Sequence, residues 1–178
     1  MEYRRRLPHV IPDDRWVFVT WRLHGSLPQG VYPPPHLPSA GHAFAWIDRY
    51  LDGSTVGPQF LRDERIASIV RDALRRGADL GRFQMRAFVL MPNHVHALMF
   101  PQAPLPPTLK SLKGFTAHQA NRILGRTGTP FWERESYDHW IRDEAELNRI
   151  VAYIEMNPVK AGLADRPEDY PWSSAFPD

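Results

Sequence analysis

Short runs of β-branched and aromatic residues alternate along the chain with longer stretches of 3.6-residue apolar period, and the two central runs are joined by a tight turn. These observations predict an α+β fold: an antiparallel sheet with helices packed on it, in ferredoxin-like order. A chain of 178 residues with 43% hydrophobic and 12% aromatic content can bury one sizeable core. The expectation is a single domain over residues 1–178.

The first strand is predicted at Trp16–Leu23 (WVFVTWRL), ended by the turn chemistry of Gly25–Pro28. After the proline-dense segment Pro33–Pro38, a short helix is expected over His42–Leu51. Ile66, Ile69, Val70, Ala73 and Leu74 then mark one face of a second helix, closed by Arg75, Arg76 and Gly77. Gln84–Leu90 and Val95–Phe100 read as strands joined through Met91-Pro92-Asn93-His94, a hairpin connection. Pro101–Pro107 reads as a break, with Thr108 as N-cap of a helix running to Gly125. Leu109, Leu112, Thr116, Ile123 and Leu124 are expected to face inward, and Lys110, Lys113 and Arg122 outward. Ser136–Ile141 is a short strand. Glu144–Asn157 is the last helix, with Leu147, Ile150, Val151 and Ile154 as its apolar stripe and Pro158 and Gly162 at its end.

Composition removes several chemistries. The chain has no cysteine, which excludes disulfides, thiolate metal ligands and a cysteine nucleophile. Its N-terminal arginines are followed by prolines and acids where a secretory signal needs an apolar stretch, and no segment reads as a membrane span; a cytoplasmic address is expected. Net charge is only +2, but Leu80–Trp132 contains no Asp or Glu while holding Arg82, Arg86, Lys110, Lys113, Arg122 and Arg126. Arginine outnumbers lysine 19 to 3. Both features suit a polyanion.

His94-Val95-His96 is the sharpest local feature, because residues two apart on a strand share a face and can bind one ion. Two histidines at a strand edge would read the same. Tyr153 and Asn157, one helical turn apart, can face one site; a phenol is a competent nucleophile and an amide oxygen a hard ligand. A core tyrosine and an Asn-Pro helix stop fit that pattern too.

Phe88-Val89-Leu90-Met91-Pro92-Asn93-His94-Val95-His96-Ala97-Leu98 resembles the HUH segment of single-tyrosine transposases, in which two histidines flank a bulky apolar residue. Phe131-Trp132-Glu133-Arg134, Tyr137-Asp138-His139-Trp140-Ile141-Arg142-Asp143 and Tyr153-Ile154-Glu155-Met156-Asn157-Pro158-Val159-Lys160-Ala161-Gly162 resemble, in the same order, later motifs of the branch associated with repetitive extragenic palindromes (REPs). Pro171-Trp172-Ser173-Ser174 is similar to its C-terminal signature. The resemblance spans roughly Trp16–Ala175, and the ordered combination is far more specific than any single motif.

The resemblance implies the HUH endonuclease fold and a metal-dependent nicking and joining of single-stranded or hairpin DNA through a 5′-phosphotyrosine intermediate. Tyr153 matches the nucleophile; His94, His96 and Asn157 match the ligands of a divalent ion, Mg²⁺ or Mn²⁺. Arg4, Arg5, Arg6, Lys110, Lys113, Arg122 and Arg134 are expected on the DNA backbone, with Trp132 stacking on a base. The expected assembly is a monomer or homodimer. The alternatives are a domesticated relative that holds a DNA hairpin without cutting it, and a zinc hydrolase using His94 and His96. The latter needs a carboxylate base, which the acid-free stretch does not supply locally.

Overall fold

A computed structural model describes residues 14–28, 30–31 and 33–177. Strand β1 (Val17–Arg22) is followed by helices α1 (Ala40–Gly53) and α2 (Glu64–Asp79), the hairpin strands β2 (Phe83–Leu90) and β3 (His94–Pro101), helix α3 (Leu105–Ile123), strand β4 (Tyr137–Trp140) and helix α4 (Glu144–Lys160). The four strands form one sheet in the order β2-β3-β1-β4, each neighbouring pair antiparallel. This is the predicted α+β class.

Strand parity decides what each face carries. Val17, Val19 and Trp21 of β1, with Val95, Ala97 and Met99 of β3, face a core completed by Ile66, Val70 and Leu74 of α2 and Leu109 and Leu112 of α3. Phe18 and Leu98 face the other way, onto Phe44 of α1 and Leu147, Ile150, Val151 and Ile154 of α4. His94 and His96 share the parity of Leu98. The sheet therefore separates an α2/α3 layer from an α1/α4 layer, and the histidines belong to the second.

A bulge lets β2 serve both layers. Met85 pairs with Met99 but Ala87 pairs with Leu98, so Arg86 is the extra residue and parity inverts there. Phe83 accordingly packs in the α2/α3 core, whereas Ala87 and Val89 join the α4 side. Gly77 is required where α2 crosses Phe83: a Cβ would lie 2.6 Å from Phe83 Cζ. The far edge of β2 is covered by the C-terminal segment, where Leu90 N donates to Trp172 O at 2.8 Å and Ser174 N to Phe88 O at 2.9 Å.

Three local readings are corrected. Helix α3 begins at Leu105 with Pro104 as N-cap, not at Thr108. Pro106 and Pro107 sit in the first turn, where an amide hydrogen would have no intrahelical partner, so they start the helix instead of breaking it. Thr108 is inside, its hydroxyl donating to Pro104 O at 2.9 Å. Ile123, expected inward, is exposed because α3 ends there and turns away at Leu124. Pro158 lies inside α4, which continues to Lys160 before Gly162, at φ +69°, reverses the chain and Leu163 N donates back to Pro158 O.

Candidate metal centre and nucleophile

The site is built on the hairpin. Leu90 pairs with Val95, so β3 starts at His94 and sends His94 and His96, both fully buried, toward the α1/α4 layer. Their Nε2 atoms are 3.1 Å apart.

Each imidazole is oriented from behind. The Asn93 side chain donates its amide to Leu51 O at 3.0 Å, which turns its Oδ1 to His94 Nδ1 at 2.7 Å. An amide oxygen can only accept, so Nδ1 carries the proton and Nε2 presents a lone pair. Thr20 is the cross-strand partner of His96, and its Oγ1 lies 2.6 Å from His96 Nδ1. Burial, reinforced by His96, pushes His94 down to about 3, so it is neutral at physiological pH.

Helix α1 supplies a carboxylate. Asp48 is buried, and its Oδ1 lies 3.1 Å from His96 Nε2 and 3.5 Å from His94 Nε2. Asp52, one turn on, has Oδ1 3.7 Å from His94 Nε2. Burial pushes the Asp48 carboxyl up, but the two imidazoles and the Asn157 amide outweigh it and hold it below its ordinary value. Asp52 goes the other way: burial and the charge of Asp48 raise it to about 7, against His96 and Lys160.

The donor set fits a divalent cation. Ligands about 2.1 Å from a common ion stand roughly 3.0 Å apart at right angles and 3.4 Å apart in a tetrahedron. The separations among His94, His96 and Asp48 match those values. The buried Oδ1 atoms of Asp48, Asp52 and Asn157 also have no hydrogen-bond partner, so the site is rich in acceptors and poor in donors. A cation satisfies such a cluster.

Helix α4 brings the nucleophile candidate. The Tyr153 hydroxyl donates to Asp48 Oδ2, and its ring lies 5.6 Å from that of His96. Asn157 is buried one turn away, close enough that its side chain helps to lower the Asp48 carboxyl. His94, His96, Tyr153 and Asn157 thus converge, within one chain, on a carboxylate that the sequence reading omitted. Asp48 lies between Phe44 and Leu51 on the buried stripe of α1, an acid in an apolar position, and that was the available signal. The acid-free stretch supplies no carboxylate locally, as the sequence reads, but Asp48 and Asp52 reach the histidines from a helix distant in sequence.

The other tyrosines of the C-terminal motifs have different partners. Tyr170 donates to Leu90 O at 2.8 Å, and burial raises its phenol to about 12. Tyr137 stacks on Phe44 with ring centroids 4.2 Å apart.

The expected DNA contacts divide. Trp132 is not available for stacking on a base: it is buried against Trp21 and Phe131, and its Nε1 donates to Thr116 Oγ1 at 2.9 Å. Lys113 is not a free cation, because its Nζ donates to the carbonyls of Glu133 and Arg134 at 2.8 and 3.1 Å. Lys110, Arg122 and Arg134 are exposed. Lys110 and Arg122 lie on α3, across the sheet from the histidines. Arg4, Arg5 and Arg6 lie outside the described residues. The basic groups beside the site are instead Lys160, with Nζ 5.2 Å from the Tyr153 ring centroid, and Arg62. Among the described residues no helix is long and apolar enough to cross a membrane.

Comparison with known proteins identifies the family and matches the fold. Residues 58–157 match the family model described as transposase IS200 like. A Haemophilus influenzae protein named as a REP-associated tyrosine transposase is 28% identical over 121 residues, which cover 61% of this chain and 68% of that protein. A solved structure described as a REP-associated tyrosine transposase bound to a REP hairpin superposes with TM-score 0.60 at 20% identity, covering 98% of this chain and 82% of the other.

Proposed function

Because the chain belongs to the IS200-like transposase family, we propose that it nicks and rejoins single-stranded DNA at hairpins through a phosphotyrosine formed on Tyr153. The observation that carries this reading is the hydrogen bond from Tyr153 to Asp48, the carboxylate that also faces His94 and His96. It places a phenol oxygen beside the one cluster of described residues with metal-ligand geometry.

His94, His96 and Asp48 would hold Mg²⁺ or Mn²⁺, with Asn157 Oδ1 as a further ligand. When bound, the ion polarises the scissile phosphate and offsets charge developing on its oxygens. Tyr153 O forms the bond to phosphorus as the bond from phosphorus to the 3′-oxygen breaks, leaving a 5′-phosphotyrosine and a free 3′-hydroxyl. The phenolic proton departs along the existing hydrogen bond to Asp48 Oδ2, and the departing 3′-oxygen takes its proton from solvent water. The ester is retained for rejoining by attack of another 3′-hydroxyl. The REP-hairpin substrate is carried over from the solved relative bound to one.

Incubation of labelled hairpin DNA with Mn²⁺ should yield a single nick, abolished by chelation and restored by added metal. Tight hairpin binding with no nick under any divalent ion would favour the non-cleaving alternative. A nick with a free 5′-phosphate and no protein attached would favour the metallohydrolase reading.

A further inference from the structure

A cavity of about 260 Å³ opens beside His94, between the C-terminal end of α1, the β2–β3 loop and the turn after α4. Another, of about 310 Å³, is lined by Leu74 and Met85 on the α2/α3 side, away from the reacting groups. We propose that the cavity beside His94 seats one nucleotide of the DNA strand next to the scissile phosphate. The proposal rests on the strand-transfer reading above and adds a subsite to it.

Size is the first argument. The volume is just below the roughly 300 Å³ at which small-molecule clefts begin, which gives room for one base and none for a duplex. Continuity is the second. His94 and Asp52 belong both to the cavity wall and to the metal centre, their facing atoms 3.7 Å apart, so a strand with its phosphate at Tyr153 can place its next nucleotide past Asp52 without leaving the protein surface.

The lining chemistry is the third. Pro92, Ala161 and Leu163 offer apolar walls to the faces of a base, and Thr55 and the Asp52 carboxylate offer polar groups to its edge. Charge is the fourth. Arg62 stands at the rim, its Nε held by Gln59 Oε1 at 2.5 Å, and Lys160 precedes Ala161 with its ammonium over Tyr153. These two cations bracket the path from nucleophile to cavity, where the phosphates of a bound strand would lie.

The experiment measures binding, so that it does not depend on cleavage. Tyr153→Phe protein with Mn²⁺ is titrated by fluorescence anisotropy with a labelled hairpin carrying a single-stranded flank, in versions with one abasic site at each successive flank position. The expected result is one position at which removing the base weakens binding roughly 10-fold. Filling the cavity by Thr55→Trp, or independently from the opposite wall by Ala161→Leu, should abolish that position's sensitivity while Mn²⁺ affinity and melting temperature stay unchanged. Equal affinity for every abasic version would overturn the proposal. So would a sensitive position that survives in either folded, cavity-filled variant. If DNA is bound with the expected sensitivity but the unsubstituted chain forms no covalent adduct, the strand-transfer reading falls and the cavity assignment stands. Absence of any DNA binding would overturn both.

Discussion

The Tyr153 hydroxyl and the Asp48 carboxylate, 105 residues apart in sequence, are joined by a hydrogen bond that links the last helix to the first. Oδ2 of Asp48 takes the phenol while Oδ1 turns to the two histidines. One side chain therefore ties the proposed nucleophile to the proposed metal, and disturbing it should affect both.

Calorimetric titration with Mn²⁺ should reveal one site per chain. Removing a ligand by His96→Ala or Asp48→Ala should abolish measurable binding, since the remaining pair cannot enclose the ion. Asp48→Asn keeps an oxygen but loses the charge and should weaken affinity without destroying the fold. Wild-type affinity in Asp48→Ala would remove this residue from the site.

Asn93 should matter as a positioning residue. Its amide reads Leu51 O on one side and fixes the His94 tautomer on the other. Asn93→Ala should lower Mn²⁺ affinity by about 10–100-fold, the usual effect of losing such a support. Unchanged affinity would mean that His94 is oriented by packing alone.

Gly77→Ala should reverse the ordinary sign of that substitution. In an exposed helix interior it would stabilise by about 1 kcal/mol. Here the new methyl meets the Phe83 ring at 2.6 Å. Forcing that contact costs about 1–3 kcal/mol, so thermal denaturation should show a lower melting temperature.

Trp132 and Lys113 should behave as structural residues. Trp132→Phe removes the bond to Thr116 and leaves a small void, and about 1–3 kcal/mol of stability should be lost. Hairpin affinity, measured where the variant is fully folded, should not change. Arg62→Ala and Lys160→Ala should instead lower affinity and flatten its dependence on salt, because each removes a cation beside the site. A loss of affinity confined to Trp132→Phe would restore the stacking role.

Features carried by local periodicity are legible in the sequence. Strand parity placed His94 and His96 on one face, and helical spacing put Tyr153 and Asn157 on one flank. Whatever depended on distant packing was not. Asp48 looks like any helical acid until α1 is laid over the hairpin, although its place between Phe44 and Leu51 hints at burial. The prolines before Thr108 read as a break because only the structure tells a helix's first turn from its interior. Trp132 and Lys113 looked like DNA contacts because an acid-free segment implies a basic face. The fold uses one for its core and ties the other to two carbonyls. The inversion at Arg86 leaves no mark in composition, since both faces of β2 are apolar beyond it.

The most direct test of the central claim is to identify the residue that becomes attached to DNA. Labelled hairpin DNA is incubated with the protein and Mn²⁺, resolved by denaturing electrophoresis, and the adduct digested and mapped. Tyr153 should carry the nucleotide. Tyr153→Phe, which deletes one oxygen and leaves the metal ligands in place, should bind metal and DNA yet form no adduct. Tyr137→Phe and Tyr170→Phe should still form it, since the Tyr137 ring is stacked on Phe44 and the Tyr170 hydroxyl is committed to Leu90 O. An adduct that persists in Tyr153→Phe, or maps to another residue, would contradict the account.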